Sequence, residues 1–191
     1  MKSKDQQLIE EAYSSIETQR KIEGYIAFGN LGDLHLERAN GVSFPDNFVV
    51  NGDLYLRYAK IKHFPDNMTV NGFMDAEGIK FKTLPKNFKV TKRLDLRSSS
   101  LTLLPDNLTI GEDLIIGYTY INALPKNLKI EGNLFMNRTD IQLKDIMYPV
   151  DVKGEVHSST FSDEEFKEHN NMLRKFQKIT NRLPELKGMF D

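Results

Sequence analysis

The sequence predicts a mainly β solenoid that is closed by an α-helix at each end. Residues 44–143 are five tandem copies of one 20-residue unit, with no insertion or deletion. Within each copy, apolar residues alternate as they do along a strand with one buried face. Before and after the copies, apolar residues recur at helical spacing instead. One coil cannot bury its apolar residues alone, so the coils must stack into a continuous core.

Proline and asparagine mark the period. A proline recurs every 20 residues, and an asparagine follows it two residues later. Proline fixes φ and lacks an N–H, which suits a corner at the core edge, and asparagine bonds turn backbone. We therefore predict that every coil turns at one shared corner, where the asparagines stack as a ladder. These residues are Pro45, Pro65, Pro85, Pro105 and Pro125, with Asn47, Asn67, Asn87, Asn107 and Asn127.

The apolar positions predict two extended segments per coil. The first has an L-x-L pattern, and its inward residues are Leu54, Met74, Leu94, Leu114 and Leu134, then Leu56, Ala76, Leu96, Ile116 and Met136. The second holds Val50, Val70, Val90, Ile110 and Ile130. A column of small residues, Ala59, Ser99, Thr119 and Thr139, is expected to turn inward as well. Ile79 interrupts that column, which predicts different packing in the second coil.

The segment 114–125 reads LIIGYTYINALP, and it resembles the short 20-residue bacterial class of the leucine-rich repeat. The departure is that Thr, Ser or Ala stands where that family usually has Asn. Repeats of the form L-P-x-N-L-x-V-x-G-x-L-x-L also resemble those of uncharacterised proteins of tailed bacteriophages and prophages. The resemblance implies a leucine-rich-repeat-like parallel sheet of about six or seven coils.

The chain divides into a solenoid and two caps. The predicted units are an N-terminal capping helix in 1–21, a repeat solenoid in 22–158 with regular coils at 44–143, and a C-terminal capping helix in 159–191. Residues 22–43 are predicted to form a degenerate first coil, and the last coil is expected to be irregular, with a spacing of 22.

Helical spacing and capping signals define both caps. The N-terminal helix is predicted over residues 5–19, with an apolar face of Leu8, Ile9, Ala12, Tyr13 and Ile16. The C-terminal helix is predicted over 163–182, because Ser162 and Glu165 form a capping-box pattern before it and Pro184 follows it. Its apolar positions are Phe166, Leu173, Phe176, Ile179 and Leu183.

Composition excludes several classes of protein. The net charge is −1, so no overall field favours nucleic acid or membrane. The absence of cysteine excludes disulfides, zinc–thiolate sites and a cysteine nucleophile. The charged N-terminus lacks the apolar core of a signal peptide, and no apolar run reaches the ~18 residues of a membrane helix. We expect a soluble, cytoplasmic protein without membrane association.

The sequence contains no pattern typical of catalysis or metal binding. The four histidines have no H-x-x-x-H or H-E-x-x-H spacing, and neither a glycine-rich phosphate loop nor a G-x-S-x-G motif is present. The pairs Asp33 with His35 and Asp75 with Asp95 could form an acid–base or carboxylate dyad, but in a regular sheet such residues are more often surface residues. We predict no catalytic residue, metal, cofactor or small-molecule substrate.

The outward residues of the L-x-L strands form the candidate partner-binding face. The candidates are Tyr55, Arg57, Asp75, Arg93, Asp95, Arg97, Ile115, Tyr118, Tyr120 and Phe135. Charges alternate along the column of Glu37, Arg57, Glu77 and Arg97, which predicts a cross-strand ladder, a recognition stripe for a mixed-charge partner, or both. The neighbouring Ile115 and Phe135 are either an interface anchor or a patch covered by residues 145–161.

These features favour a non-catalytic protein–protein interaction module. The phage resemblance implies an accessory protein in the host cytoplasm that binds or inhibits a host defence or regulatory protein. One alternative is a structural or assembly protein of a virion or homo-oligomer. A second is a nucleic-acid-binding protein that uses the basic coil at 80–97, which contains Lys80, Lys82, Lys86, Lys89, Lys92, Arg93 and Arg97.

Overall fold

A computed structural model describes residues 3–182, and within this range the chain is a parallel β-solenoid flanked by two α-helices. The helices are α1 (Lys4–Ala27) and α2 (Asp163–Arg182), and a 3-10 turn covers Leu143–Asp145. The strands are β1 (Leu34–His35), β2 (Asn40–Ser43), β3 (Val49–Val50), β4 (Leu54–Tyr55), β5 (Lys60–His63), β6 (Thr69–Val70), β7 (Met74–Asp75), β8 (Lys89–Val90), β9 (Leu94–Asp95), β10 (Thr109–Ile110), β11 (Leu114–Ile115), β12 (Lys129–Ile130), β13 (Leu134–Phe135), β14 (Asp151–Val152) and β15 (Val156–His157).

The L-x-L segments form a parallel seven-stranded sheet in the order β1-β4-β7-β9-β11-β13-β15. Leu114 pairs with Leu94 on one side and with Leu134 on the other, so the 20-residue period is the strand register. The last step differs, since Leu134 pairs with Val156, 22 residues later. Both the stacked coils and the irregular last coil are thereby confirmed.

The second extended segments form a parallel six-stranded sheet in the order β14-β12-β10-β8-β6-β3. Val70 pairs with Val50 and Val90, and Ile130 pairs with Ile110 and Val152. Two strands per coil were predicted, and the structure has them. A short third pairing, β2 with β5, joins the first coils on the remaining side.

The apolar columns fill the space between the sheets. The inward residues of both segments are buried, Leu96 and Val70 completely. The small-residue column also turns inward, and the hydroxyls of Thr119 and Thr139 donate to the backbone oxygens of Ile116 and Met136. The second coil packs differently, as predicted. It has the small Ala76 where the other coils have Leu, Ile or Met, and a fully buried Ile79 where they have Ala, Ser or Thr.

The proline–asparagine corner has a conformational reason. Asn67 and Asn87 adopt φ of 59° and 54°, and the corner asparagines of the other coils are similar. This left-handed region favours asparagine over other residues with a β-carbon. The side-chain amide of Asn67 donates to Asn47, and Asn127 donates to Asn107, at 3.1 and 2.9 Å. The predicted asparagine ladder is therefore present.

The N-terminal helix is longer than predicted. It continues to Ala27, so residues 22–27 are helical. The prediction that they belong to the first coil is wrong. Ile22 and Tyr25 are buried against the solenoid, and the Tyr25 hydroxyl lies within hydrogen-bonding distance of the backbone oxygens of Asn30 and Gly32, to one of which it donates its hydrogen. The reason is that the first coil lacks its own preceding coil, and the end of α1 fills that place.

The helix packs with a different face than its apolar pattern predicts. The side facing β2 carries Ser14, Ser15 and Thr18, and a β-carbon at Gly41 would collide with the Ser15 side chain. The glycine thus lets helix and strand approach closely. The predicted capping face, by contrast, is exposed to solvent at Leu8, Ile9, Ala12, Tyr13 and Ile16.

The C-terminal helix begins at the predicted capping box, but only part of its predicted apolar face packs, since Phe176 and Ile179 are 54% and 50% exposed. Ser162 and Glu165 make the reciprocal capping-box hydrogen bonds, at 2.7 and 3.2 Å. Phe166 is buried, and the Asn170 side chain bonds both the N–H and the oxygen of Val150. The predicted Leu183 and Pro184 lie outside the described residues. Neither helix, over the residues described, is long and apolar enough to cross a membrane.

Candidate protein-binding surface

The outward side chains of the seven-stranded sheet lie on one continuous surface, here called the strand face. Parallel register places one residue of each coil beside its equivalent in the next. The central column of the strand face consists of His35, Tyr55, Asp75, Asp95, Ile115, Phe135 and His157. At ~4.8 Å per strand, this column is about 29 Å long.

The last coil extends the strand face and does not cover it. Within residues 145–161, β14 and β15 pair edge to edge with the preceding strands. The His157 ring stacks on Phe135, with centroids 4.5 Å apart and planes within 4°. Ile115 and Phe135 are half-buried in this row. The apolar patch therefore lies beside the C-terminal segment, which rules out the fold-back alternative.

A network of charges occupies the middle of the strand face. The Arg57 guanidinium lies 3.0 Å from Asp75 and 3.3 Å from Glu77. Arg97 reaches Asp95 through Nε and Nη2, the latter at 2.7 Å, and lies 3.7 Å from Glu77. The bond to Asp75 raises the pKa of Arg57, and the bond to Asp95 raises that of Arg97. Both guanidinium groups stay charged and fixed in place.

The predicted charge ladder is present over three coils. Glu77 joins Arg57 and Arg97, whereas Glu37 instead lies 3.1 Å from His35 in its own coil. The prediction that Asp95 contacts a partner needs correction. The Asp95 side chain is only 3% exposed, because Arg97 folds over it. Asp95 thus orients Arg97, which remains 45% exposed, and does not itself face a partner.

An aromatic cluster lies at the N-terminal end of the strand face. His35 stacks on Tyr55 with ring centroids 4.3 Å apart, and Tyr55 meets Phe73 edge to face at 5.0 Å. The Arg93 guanidinium lies 5.4 Å from the Phe73 centroid. His35 and Phe73 are not among the predicted site residues, although the repeat columns contain both. The ring contact of His35 with Tyr55, and those of Phe73 with Tyr55 and Arg93, add both residues to this surface.

Tyr118 and Tyr120 lie on the loop after β11 and are 60% and 72% exposed. Tyr118 has φ of 58° and lies 6.0 Å from the Arg138 guanidinium. Tyr58 occupies the equivalent position three coils earlier. Its hydroxyl donates a hydrogen bond to Glu77, which raises the pKa of Tyr58. This loop column therefore borders the strand face, as the sequence predicts.

The basic coil at 80–97 does not present its charges on one surface. Lys89 lies on the second sheet, and Lys92 lies in the turn between the sheets. Arg93 lies on the strand face beside Phe73, and Arg97 is paired with Asp95. The charges are thus distributed around the solenoid and partly neutralised.

Among residues 3–182, no group of three or more His, Asp or Glu side chains is arranged to hold a metal ion. A wide, open groove beside α2 is lined by polar groups that include Asn107, Asn127 and Arg174.

The chain was compared with known proteins. No protein-family model matches it, and neither the curated proteins nor the solved structures include a match.

Proposed function

We propose that this protein is a non-catalytic interaction module that binds a protein partner through the strand face. The observation that carries the proposal is the order of groups along one sheet. An aromatic cluster of His35, Tyr55 and Phe73 lies at one end, and the apolar Ile115 and Phe135, with the His157 ring stacked on Phe135, lie at the other. The network around Glu77 lies between them.

The composition of this surface supports a protein partner. Aromatic residues and arginine contribute most of the energy at protein interfaces. Here Tyr55 and Phe135 are stacked on neighbouring rings, and Arg97 is clamped by Asp95. Because the side chains are already ordered, binding loses little conformational entropy. The intervening ion pairs give the surface mixed charge, which favours a partner of complementary pattern.

The finer proposal depends on the sequence resemblance. As a leucine-rich-repeat-like protein of the short 20-residue class, similar to phage and prophage proteins, it would act as a phage accessory protein. Its partner would be a host defence or regulatory protein in the bacterial cytoplasm. The 20-residue coil spacing supports the solenoid part of this proposal.

Affinity capture from bacterial lysate tests the proposal, with Tyr55→Ala/Phe135→Ala as the key variant. Its matched control is Leu103→Ala/Phe176→Ala, since both control residues are more than half exposed and lie off the strand face. We expect one protein to be enriched by the wild type and the control and lost with the key variant. Titration of the purified partner should then show about 30-fold weaker binding or more for the key variant, because a hot-spot truncation costs about 2 kcal/mol.

Two outcomes would contradict the proposal. One is the same set of captured proteins for all three baits. The other is capture that nuclease treatment abolishes and that Lys89→Glu/Arg93→Glu removes, which would support nucleic-acid binding instead.

A further inference from the structure

Helix α1 exposes an apolar stripe along its outer side. Leu8, Ile9, Tyr13 and Ile16 are between 51% and 68% exposed, and no other part of residues 3–182 covers them. The opposite side of the helix is the one that packs, through the buried Thr18, Ile22 and Tyr25. A contiguous exposed apolar stripe marks an interaction surface.

The stripe is complementary to itself in antiparallel orientation. Ile9 and Ile16 are equidistant from the point between Ala12 and Tyr13, and so are Asp5 and Arg20. A two-fold axis at that point therefore places Ile9 opposite Ile16, and Asp5 opposite Arg20, of the other copy. Neither Asp5 nor Arg20 forms an ion pair with another described residue, so both charges are available.

We propose that α1 is a dimerisation surface that pairs antiparallel with α1 of a second copy of this chain. Ile9, Ala12 and Ile16 have the alternating spacing of three and four residues that forms a helix–helix seam. The same axis places Tyr13 opposite Ala12 of the other copy, and the small Ala12 leaves room for the ring, while Leu8 flanks the seam. The strand face lies on the solenoid sheet, so dimerisation leaves it accessible.

The expected dimer is weak and depends on concentration. A helix pair of this length is at the lower end of interface sizes, well below the ~800 Å² per partner of a standard interface. Sedimentation equilibrium should therefore show a mass that rises with protein concentration. Ile9→Glu/Ile16→Glu should remain monomeric, while Leu103→Glu, an equally exposed apolar control in the solenoid, should behave as the wild type. Circular dichroism checks that each variant keeps its helices.

A charge exchange tests the orientation. Asp5→Arg places arginine opposite Arg20 at both ends of the pair, and Arg20→Asp places two acids there. Each single variant should have at least a tenfold weaker dimer at low salt, and Asp5→Arg/Arg20→Asp should recover it because both contacts are restored in reverse. Single variants without effect, or a double variant that stays monomeric, would overturn the antiparallel register.

A single cysteine tests the position of the axis, since the chain has no cysteine of its own. Ala12→Cys lies at the axis, so oxidation should join two copies. In Leu8→Cys the two thiols would be about 13 Å apart along the helices, beyond the ~7 Å Cα separation that a disulfide spans. Equal cross-linking at both positions, or none at either, would contradict the proposal. Tyr55→Ala/Phe135→Ala should dimerise normally, so this test is independent of partner binding.

Discussion

Asn87 donates a hydrogen bond from Nδ2 to Oδ1 of Asn67, its equivalent one coil earlier, at 2.9 Å. Both residues have left-handed backbone at the proline corner. The same residue type thus satisfies a conformational need within each coil and a hydrogen-bonding need between coils. This double role explains why asparagine is invariant among the five corners of this chain.

The two roles can be separated by substitution. Asn87→Ala removes the ladder bond and places an ordinary side chain at φ of 54°, so we expect a loss of about 2 kcal/mol in the free energy of unfolding. Asn87→Gly keeps the conformation and should lose roughly 1 kcal/mol. Urea denaturation measures both. If glycine were as damaging as alanine, the conformational role would be refuted.

The second coil exchanges volume between two core positions. Ala76 and Ile79 are both fully buried, whereas the other coils place the larger residue first. Ala76→Leu should destabilise by about 1–3 kcal/mol through overpacking, and Ile79→Ala by about 2–5 kcal/mol through a cavity. The double variant should lose less stability than the sum of the two single losses, by at least about 1 kcal/mol. Strict additivity in thermal or urea unfolding would show that the two positions do not compensate.

Within residues 3–182 the buried hydroxyl of Ser99 has no hydrogen-bond partner, while Thr119 in the same column donates to the backbone oxygen of Ile116. An unsatisfied buried hydroxyl destabilises the folded state, and a satisfied one contributes about 1 kcal/mol. We therefore expect Ser99→Ala to leave stability unchanged or raise it, and Thr119→Val to lower it by about 1 kcal/mol. Unfolding free energies that fall equally in both variants would contradict this difference.

Glycine at the turn between the sheets permits close stacking of coils. A β-carbon on Gly72 would lie 2.5 Å from the backbone oxygen of Gly52. Gly72→Ala should therefore destabilise by about 1–3 kcal/mol. Gly24 in α1 has open space around its missing β-carbon, so Gly24→Ala is the matched control and should stabilise the protein by up to ~1 kcal/mol. A neutral Gly72→Ala would refute the steric role.

Asp163 ties α2 to the last strand and predicts a pH dependence. Partial burial acts to raise its pKa, but the bonds from Lys167 and from the Val156 N–H outweigh this and hold the pKa below its usual value. The ionised form therefore stabilises the folded state, and that contribution is lost as the pH falls through about 4 and below. Asp163→Ala should cost about 1–2 kcal/mol at pH 7.

The difference between Asp163→Ala and the wild type should then shrink in acid. Urea denaturation at pH 7 and at about pH 3.5 measures both values. Asp163→Asn keeps an oxygen for the Val156 N–H but removes the charge. Its free energy of unfolding at pH 7 should therefore lie between those of the wild type and Asp163→Ala. A difference that does not change with pH would show that the charge on Asp163 contributes nothing.

Several elements of the candidate surface were predictable because they follow from the period. Once Leu94 and Leu114 are neighbours, Asp95 and Ile115 must be neighbours too, and the columns of the strand face follow. Burial of Asp95 beneath Arg97 was not predictable, because it depends on which of several nearby carboxylates the guanidinium selects. The contribution of His157 was also missed, since it lies after the irregular 22-residue step.

The sequence by itself determined the coil length, the two strands of each coil, the inward columns and the asparagine corner. Each of these repeats five times, so weak local preferences add up along the stack. Only the tertiary structure decided which side of α1 faces the solenoid, because that contact occurs once. There the absent side chain of Gly41 and the buried Ile22 and Tyr25 outweigh the apolar pattern of Leu8 and Ile9, which remains in solvent.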